Sequence, residues 1–227
     1  MDKSDFNIDL SPLAEESWNK EVSYNNLIDI DGNSYKTIQI GEQEWMAENL
    51  RVSHYNNGDE IRNIDNQFIW QTIDYGALCY YDNNDSLFQI YGGLYNHLTI
   101  EDERNVCPAG WKIPSVEDYN LFKINIQKYI ESAEGLSEKQ ILNAFVDWDK
   151  ANKGKDILGF RALPAGHRNF DGNFFSNGLS ANFWLTNFFE NGTASAFGVH
   201  YKTEQIIDNV LNKEYGLSIR CVKSIEK

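Results

Sequence analysis

Aromatic and amide side chains are concentrated in one stretch of the chain, Phe170–Phe189, where seven Phe and Trp residues are interleaved with Asn and Gly. Aromatic rings with adaptable polar neighbours make good contact surfaces. If the segment forms strands, successive side chains point to opposite faces, so about half of the rings belong to the core. We expect the remaining rings to form a binding face. The alternative is that all seven rings pack in the core. The residues that we predict to contact a ligand are Asn173, Asn177, Asn182, Trp184, Asn187, Phe188 and Tyr201.

A second group of oxygen-bearing side chains lies in the segment Asp82-Asn83-Asn84-Asp85. Calcium binds several oxygen atoms, and flexible loops of this composition provide them, so Asp82, Asn84 and Asp85 are candidate calcium ligands. The segment lacks the ligand spacing and the bidentate Glu of an EF-hand. Because Asp and Asn also form ordinary turns by bonding to their own backbone, a solvated turn without metal is the alternative. We predict no other cofactor.

Nucleophilic catalysis requires a Ser, Cys or Thr beside an oriented base. No motif of this kind accompanies the four histidines. The three cysteines, Cys79, Cys107 and Cys221, are too few for a disulfide framework and too scattered for a zinc site. They permit at most one internal disulfide and one spare thiol. The residues therefore favour a protein without enzymatic activity.

The charge balance limits the possible partners. The chain has 227 residues, with 20 Lys and Arg against 34 Asp and Glu, which gives a net charge of −14. Such an acidic chain repels phosphate backbones, so we expect it to bind no nucleic acid. No apolar run is long enough for a transmembrane segment. The first residues, MDKSDFNIDL, lack the features of a signal peptide, which fits a cytosolic protein and a processed, exported one equally.

The elements that must position these residues begin after a polar, acidic stretch. We interpret residues 1–26 as a tether or loosely docked arm and residues 27–227 as one domain. From Leu27, β-rich runs surround the turn Asp31-Gly32-Asn33, and Gly41 begins a second turn, which predicts a β-meander. Leu78–Tyr81 is a further candidate strand.

Two helices are predicted in the middle of the chain. Ser115 is a good N-cap, and apolar residues then recur at helical spacing until Gly135 ends the first helix. Ser137 begins the second, which we expect to extend to Asp149. The apolar face of the first helix consists of Tyr119, Phe122, Ile126 and Ile130.

Short β-like runs return after Leu158, separated by Asn-Gly and Asp-Gly pairs that are typical of hairpin turns. Strands on both sides of a helical insert, without βαβ alternation, predict an α+β fold with mostly antiparallel short sheets. The turn pairs are Asp171-Gly172, Asn177-Gly178 and Asn191-Gly192. The predicted strands are Phe160–Leu163, Phe174-Phe175, Phe183–Thr186, Ala194–Tyr201, Ile206–Val210 and Leu217–Val222.

Several segments, in this order, resemble the Fibrobacter succinogenes major paralogous domain, which occurs in surface and secreted proteins of gut-type bacteria. The resemblance extends from about Leu27 to Lys223. Its segments are Asp31–Gly41, Gln43–Arg51, Cys107–Ser115, Gly159–Arg168 and Gly216–Val222.

The resemblance implies a C-type-lectin-like fold related to that of formylglycine-generating enzymes. Gly110–Tyr119 is similar to the helix entry of that group, with Tyr119 in place of the usual Trp. The usual tryptophan pair is replaced here by Phe183-Trp184. The resemblance also implies an extracellular or outer-surface location, often with a lipid anchor, which would lie upstream of this sequence. Such a location favours an oxidised cysteine pair, Cys79 or Cys107 with Cys221.

These observations predict a non-enzymatic, adhesin-like domain that binds a protein or glycan through its C-terminal loops. One alternative is a hypervariable receptor diversified by a retroelement, because similar domains serve as such receptors and Asn codons are rich in adenine. Another is an enzyme related to formylglycine-generating enzymes, although the three cysteines lie outside the context of the cysteine pair which that chemistry requires. The Asn positions that suggest diversification are Asn173, Asn177, Asn182, Asn187 and Asn209.

Overall fold

Small sheets and short helices, joined by long connections, make up the part of the chain that a computed structural model describes, residues 18–132, 135–143, 148 and 154–224. In chain order the strands are β1 (Asn25–Ile28), β2 (Ser34–Ile40), β3 (Gln43–Met46), β4 (Arg62–Asn63), β5 (Ala77–Cys79), β6 (Leu94–Tyr95), β7 (Trp111–Lys112), β8 (His167–Arg168), β9 (Phe174–Phe175), β10 (Ser180–Phe188), β11 (Thr193–His200), β12 (Ile207–Asn212) and β13 (Val222–Lys223). The helices are α1 (Gln67–Trp70), α2 (Asp85–Tyr91), α3 (His97–Glu101), α4 (Val116–Ser132) and α5 (Glu138–Leu142), and a 3-10 turn covers Tyr81–Asn83.

The largest sheet contains the predicted meander and closes it with the end of the chain. Its strand order is β1-β2-β3-β13-β7, and all of its neighbouring strands are antiparallel. The turn between β1 and β2 depends on a residue that the sequence did not single out: Asp29 accepts hydrogen bonds from the Asn33 amide and the Tyr35 hydroxyl. Gly32 has a φ of 80°, which an Asp-Gly hairpin turn requires.

A second, three-stranded sheet has the order β10-β11-β12 and is antiparallel throughout. The predicted Asn191-Gly192 turn joins its first two strands, and Asp171-Gly172 joins β8 to β9, so both hairpin predictions are confirmed. Asn177-Gly178 is a turn between β9 and β10, which do not pair with each other. In the small sheet β4-β5-β6, the first pair is parallel, so the fold is mostly antiparallel α+β, as predicted.

The two predicted helices differ in their outcome. Ser115 precedes α4 as expected, and its hydroxyl accepts a hydrogen bond from the Asp118 amide. Ser137 caps α5 in a complete capping box with Gln140, but this helix ends at Leu142 and not at Asp149. The prediction fails there because Asn143 takes an extended conformation and forms a bridge with Ala162. Most of the remaining predicted helix lies outside the described residues.

One strand prediction is wrong and another is too long. Phe160–Leu163 forms no strand, because Arg161 has a positive φ of 54° and only Ala162 makes a bridge. In Leu217–Val222, only Val222 belongs to a strand, and Leu217 and Ser218 make isolated bridges to Tyr95 and Phe183. Buried apolar runs of this kind have the sequence pattern of a strand. Here, however, their backbone hydrogen bonds go to several different segments and not to one neighbouring strand.

Aromatic rings connect the two larger sheets through α4. Phe122 of this helix lies 4.8 Å from Trp45 of β3 and 6.0 Å from Phe197 of β11, measured between ring centroids. Tyr119, one turn earlier, stacks on Phe197 at 4.6 Å. All of these rings are buried, so the predicted apolar face of the helix is confirmed as part of the main core.

The segment before β1 also packs on this core. Trp18 is buried and has two cations against its ring, with the Arg161 guanidinium 4.1 Å and the Lys36 ammonium 4.2 Å from its centroid. Tyr24 contacts Trp18 edge to face at 5.1 Å. Residues 18–24 are therefore docked, whereas the rest of the predicted arm, residues 1–17, lies outside the described residues. Among the described residues, no helix combines the length and the apolar character needed to cross a membrane.

Cys107 and Cys221 form a disulfide, and Cys79 is a buried free thiol. The structure thus selects one of the two pairings that the sequence left open. The bond joins the segment before β7 to the residue before β13, 114 positions away. Cross-linking such a distant pair strongly restricts the unfolded chain.

We expect one free thiol per chain under denaturing, non-reducing conditions and three after reduction. Reduction should lower the free energy of unfolding by about 2–5 kcal/mol, because the unfolded chain regains loop entropy. Denaturant titration of the wild type with and without reductant measures this. In the control C107S/C221S, reductant should have no effect. Two or three free thiols in the unreduced wild type would contradict the assignment.

Asp156 is a buried carboxyl group in the main core. Its Oδ1 atom accepts the Arg161 amide at 2.6 Å, and the Asn19 side chain donates to its backbone carbonyl. Burial is the main cause that raises the pKa of Asp156 to about 8, and the charges of Arg161 and Arg220 oppose this rise. The folded protein therefore retains a proton that the unfolded chain, with an ordinary Asp pKa near 4, releases.

Because the folded state binds this extra proton, the free energy of unfolding should fall as pH rises from about 4 to 8. Asp156→Asn keeps the acceptor for Arg161 but cannot ionise. The free energy of unfolding of this variant should therefore fall less steeply with pH than that of the wild type, by up to about 1.4 kcal/mol per pH unit. Urea titrations at several pH values in this range measure the difference. The control Asp59→Asn changes an exposed carboxylate with a lowered pKa and should leave the slope unchanged. Equal slopes in wild type and Asp156→Asn would contradict the prediction.

Candidate functional site

A groove of about 260 Å³ lies on the face of the β10-β11-β12 sheet that is turned away from α4. Directly opposed residues of antiparallel strands share a face. One such row contains Asn182, Gly198 and Ile207, and the next contains Ala196 and Asn209. The row at the groove's end pairs Ser180 with His200.

Small side chains on the central strand make this groove possible. On this face β11 presents Ala194, Ala196 and Gly198 in succession. At Gly198 a Cβ atom would lie only 2.6 Å from both the Ala181 carbonyl and the Asn182 Oδ1 atom. Glycine is therefore needed at this position by the close approach of β10, and its missing side chain leaves space between Asn182 and Ile207.

Aromatic side chains from other segments rim the groove. His167 of β8 stacks with Phe175 of β9 at 5.9 Å and with Tyr215 at 5.7 Å, and Phe170 lies 5.9 Å from Tyr215. Phe170 and Phe175 are each nearly half exposed. The site thus combines amide and hydroxyl groups on its floor with rings along one edge.

Among the residues that the structure describes, those lining the groove include no Lys, Arg, Asp or Glu. The ionisable side chains of the groove are His167, His200 and Tyr215, and burial raises the pKa of the Tyr215 hydroxyl. Burial lowers the pKa of His167, with a further contribution from the charge of His200. Burial also lowers the pKa of His200, together with the charge of Lys202. Both rings are therefore neutral at pH 7, and the groove is uncharged in a protein of net charge −14.

The structure brings only part of the predicted ligand-binding set to the groove. Asn182 lines it, and Tyr201 lies beside His200 at its end, with 4.6 Å between ring centroids. Asn173 is exposed and lines a neighbouring cavity. Phe188 is exposed at the other end of β10, under the Lys213 ammonium.

Three of the predicted residues make contacts inside the protein. Trp184 is fully buried, and its indole N–H donates to the Tyr95 carbonyl at 2.8 Å. Asn187 accepts a hydrogen bond from the Val116 amide at the start of α4. Asn177 donates to the Pro164 carbonyl at 3.3 Å. These side chains maintain the scaffold around the site.

Sequence reasoning missed His167, His200 and Tyr215 as site residues. His167 and Tyr215 are 48 positions apart, and no periodicity relates them. Asn209 was noted only for its codon. A signal was present for this residue, because it lies between Ile207 and Leu211 on one face of its strand and is the polar position of that face.

The candidate calcium ligands lie in and after the 3-10 turn. Asn84 caps α2 by accepting the Ser86 amide at 2.9 Å, and Asp82 has a positive φ of 52°. Asp82 and Asp85 are both exposed. No cluster of three or more His, Cys, Asp or Glu side chains suited to a metal occurs among the described residues. Calcium binding stays a prediction.

The histidines of the groove provide a test of its electrostatics. In the folded protein, the pKa values of His167 and His200 should both lie below about 6.5, the ordinary value. His200→Gln removes one positive charge and should raise the pKa of His167. NMR titration of the imidazole C–H resonances measures these values. Lys202→Gln is the control, since it should raise the pKa of His200 and leave that of His167 unchanged. A His167 pKa at or above 6.5 in wild type would contradict the described environment.

Comparison with known proteins gives one match. The family model described as the Fibrobacter succinogenes major domain matches residues 38–223, which is most of the chain. No curated protein and no solved structure matches the chain significantly. The match includes four of the five signature segments completely and the end of the first. The chain therefore belongs to the Fibrobacter succinogenes major domain family.

Proposed function

We propose that this protein is a non-enzymatic recognition domain that binds a neutral glycan in the groove of the β10-β11-β12 sheet. The observation that carries the proposal is the uncharged, amide-lined groove with an aromatic rim. Small-molecule sites typically combine apolar walls with a few convergent polar groups. The groove has this composition.

A glycan fits these groups better than a protein segment does. Sugar hydroxyls both donate and accept hydrogen bonds, and the Asn182 and Asn209 amides offer both functions. The flat C–H faces of sugar rings pack on aromatic rings, which Tyr215, His167 and Phe175 supply at the rim. A groove of about 260 Å³ has room for a compact unit and not for a broad protein surface.

Other features support a location outside the cell. The Cys107–Cys221 disulfide is of the kind that persists in oxidising compartments. We also propose that the domain has a C-type-lectin-like fold. In this proposal, an export signal and a lipid anchor lie upstream of this sequence. Both disulfide cysteines are fully buried, which supports a binding role over oxidation chemistry that needs an accessible cysteine pair.

The test is a glycan array probed with the full chain. Wild type should bind one or more neutral glycans, and Asn209→Ala should weaken that binding at least tenfold, about the effect of losing one well-made hydrogen bond in a closed site. Asn182→Ala should act in the same direction. Asn209 is half-buried, and within the described part of the chain its side chain makes no hydrogen bond. Removing this side chain should therefore preserve the fold.

Asn212→Ala is the matched control. Asn212 is exposed at the end of the same strand and does not line the groove. This variant should bind like wild type, and all variants should keep the wild-type melting temperature within about 2 °C, as surface changes do. An array without neutral glycan hits, or equal binding by Asn209→Ala and Asn212→Ala, would overturn the proposed function.

A further inference from the structure

The hairpin of β8 and β9 separates the groove from a second cavity. Cross-strand pairs place His167 opposite Phe175 and Arg168 opposite Phe174. His167 lines the groove, whereas Arg168 and Phe174 line the second cavity. Phe175 belongs to both sides, because its ring stacks on His167 and also lines the second cavity. The hairpin is thus a narrow ridge with an exposed aromatic ring on it.

The second cavity, of about 440 Å³, offers mainly hydrogen-bond acceptors. Asp65, Asp82 and Asn173 are exposed at its wall. The Arg168 guanidinium also lines it, but its three nitrogens donate to the carbonyls of Gly172, Ile64 and Asp65. These bonds hold the guanidinium against the backbone, and the exposed charges of the cavity wall are the carboxylates of Asp65 and Asp82.

The ridge is held firmly in place. Arg168 is fully buried, and its guanidinium carbon lies 4.5 Å from the centroid of the Trp70 ring and 4.8 Å from that of Phe174. Gln67 of α1 and Gln71, which follows this helix, donate to the Asp171 carbonyl at the tip of the hairpin, at 3.1 and 2.7 Å. Such anchoring gives the two cavities a fixed separation, which favours a ligand with a regular repeat.

The cavity sizes also point to an extended ligand. The groove, at about 260 Å³, is smaller than the usual range of about 300–1,000 Å³ for small-molecule pockets, so a larger ligand must extend beyond it, and the second cavity of about 440 Å³ lies on the other side of the ridge. Carboxylates on one side and neutral amides on the other both suit hydroxyl groups. Acidic sugars are disfavoured by Asp65 and Asp82.

From this arrangement we propose that the ligand is a neutral oligosaccharide that spans both cavities, with one unit in the groove, one stacked on Phe175 and at least one more in the second cavity. The inference rests on the proposed function of the groove and specifies its ligand as a chain and not a single sugar. Asp65 and Asp82 would accept hydrogen bonds from the hydroxyls of the distal units.

The experiment measures affinity against chain length by calorimetry, using manno-, cello- and xylo-oligosaccharides from single sugars to hexamers. For at least one series, wild-type affinity should rise at least about tenfold with length and then level off. Asp65→Ala should abolish most of this rise while leaving binding of the shortest ligand unchanged. Phe175→Ala should also abolish most of the rise, with a smaller loss for the shortest ligand because this ring belongs to the groove rim as well. Asn209→Ala should weaken binding at every length.

Phe189→Ala is the matched control for the ridge, because Phe175 and Phe189 are both 45% exposed and Phe189 lies at the far end of the sheet. It should follow the wild-type curve. The inference of a ligand that spans both cavities is wrong if affinity does not depend on chain length, or if Phe175→Ala and Asp65→Ala follow the control. Either result leaves the proposed glycan binding in the groove unaffected. If no ligand of any length binds to the folded protein, the proposed function fails and this inference fails with it.

Discussion

The buried guanidinium of Arg220 is the interaction on which the arrangement of the domain depends. It is fully buried, and it donates to the Asn49 Oδ1 atom, to the Met46 carbonyl and to the carbonyls of Phe160 and Arg161. Burial lowers its pKa to about 9, so it still carries its charge at neutral pH. A buried charge needs complete hydrogen bonding to be tolerated, and these oxygens provide it only if three separate chain segments meet at one point.

Those segments are the ones that carry the family resemblance. Arg220 belongs to the last of them, its partners belong to Gln43–Arg51 and Gly159–Arg168, and the neighbouring Cys221 is bonded to Cys107 of a fourth. Asn49 extends the network by donating to the Tyr91 carbonyl. Family membership in this chain therefore reflects how the core is held together. Most of the groove lining, from Ser176 to Tyr215, lies between the last two signature segments, whereas His167 and Leu217 belong to those segments.

Local sequence signals predicted those elements whose partners are adjacent in the chain. The β1–β2 hairpin follows from Asp31-Gly32, the β10–β11 hairpin from Asn191-Gly192, and α4 from its cap and apolar periodicity. The predictions failed where a distant segment satisfies the backbone instead. Asn143 leaves the helical conformation to pair with Ala162, and Phe160–Leu163 bends at Arg161, whose carbonyl accepts from Arg220. The short helices α1 and α3 were missed because each has hardly more than one turn and so little periodicity.

By itself, the sequence determined the α+β class, the family and the concentration of aromatic and amide groups in the C-terminal part, since these depend on composition, short-range pattern and segment order. Only the tertiary structure decided which of those groups reach the surface. Asn182 and Trp184 are two residues apart on the same face of β10, yet one lines the groove and the other is fully buried. The difference arises because Leu217 and Tyr215, which come from a later loop, cover the sheet at Trp184 and leave it open at Asn182. No local pattern in β10 encodes that cover.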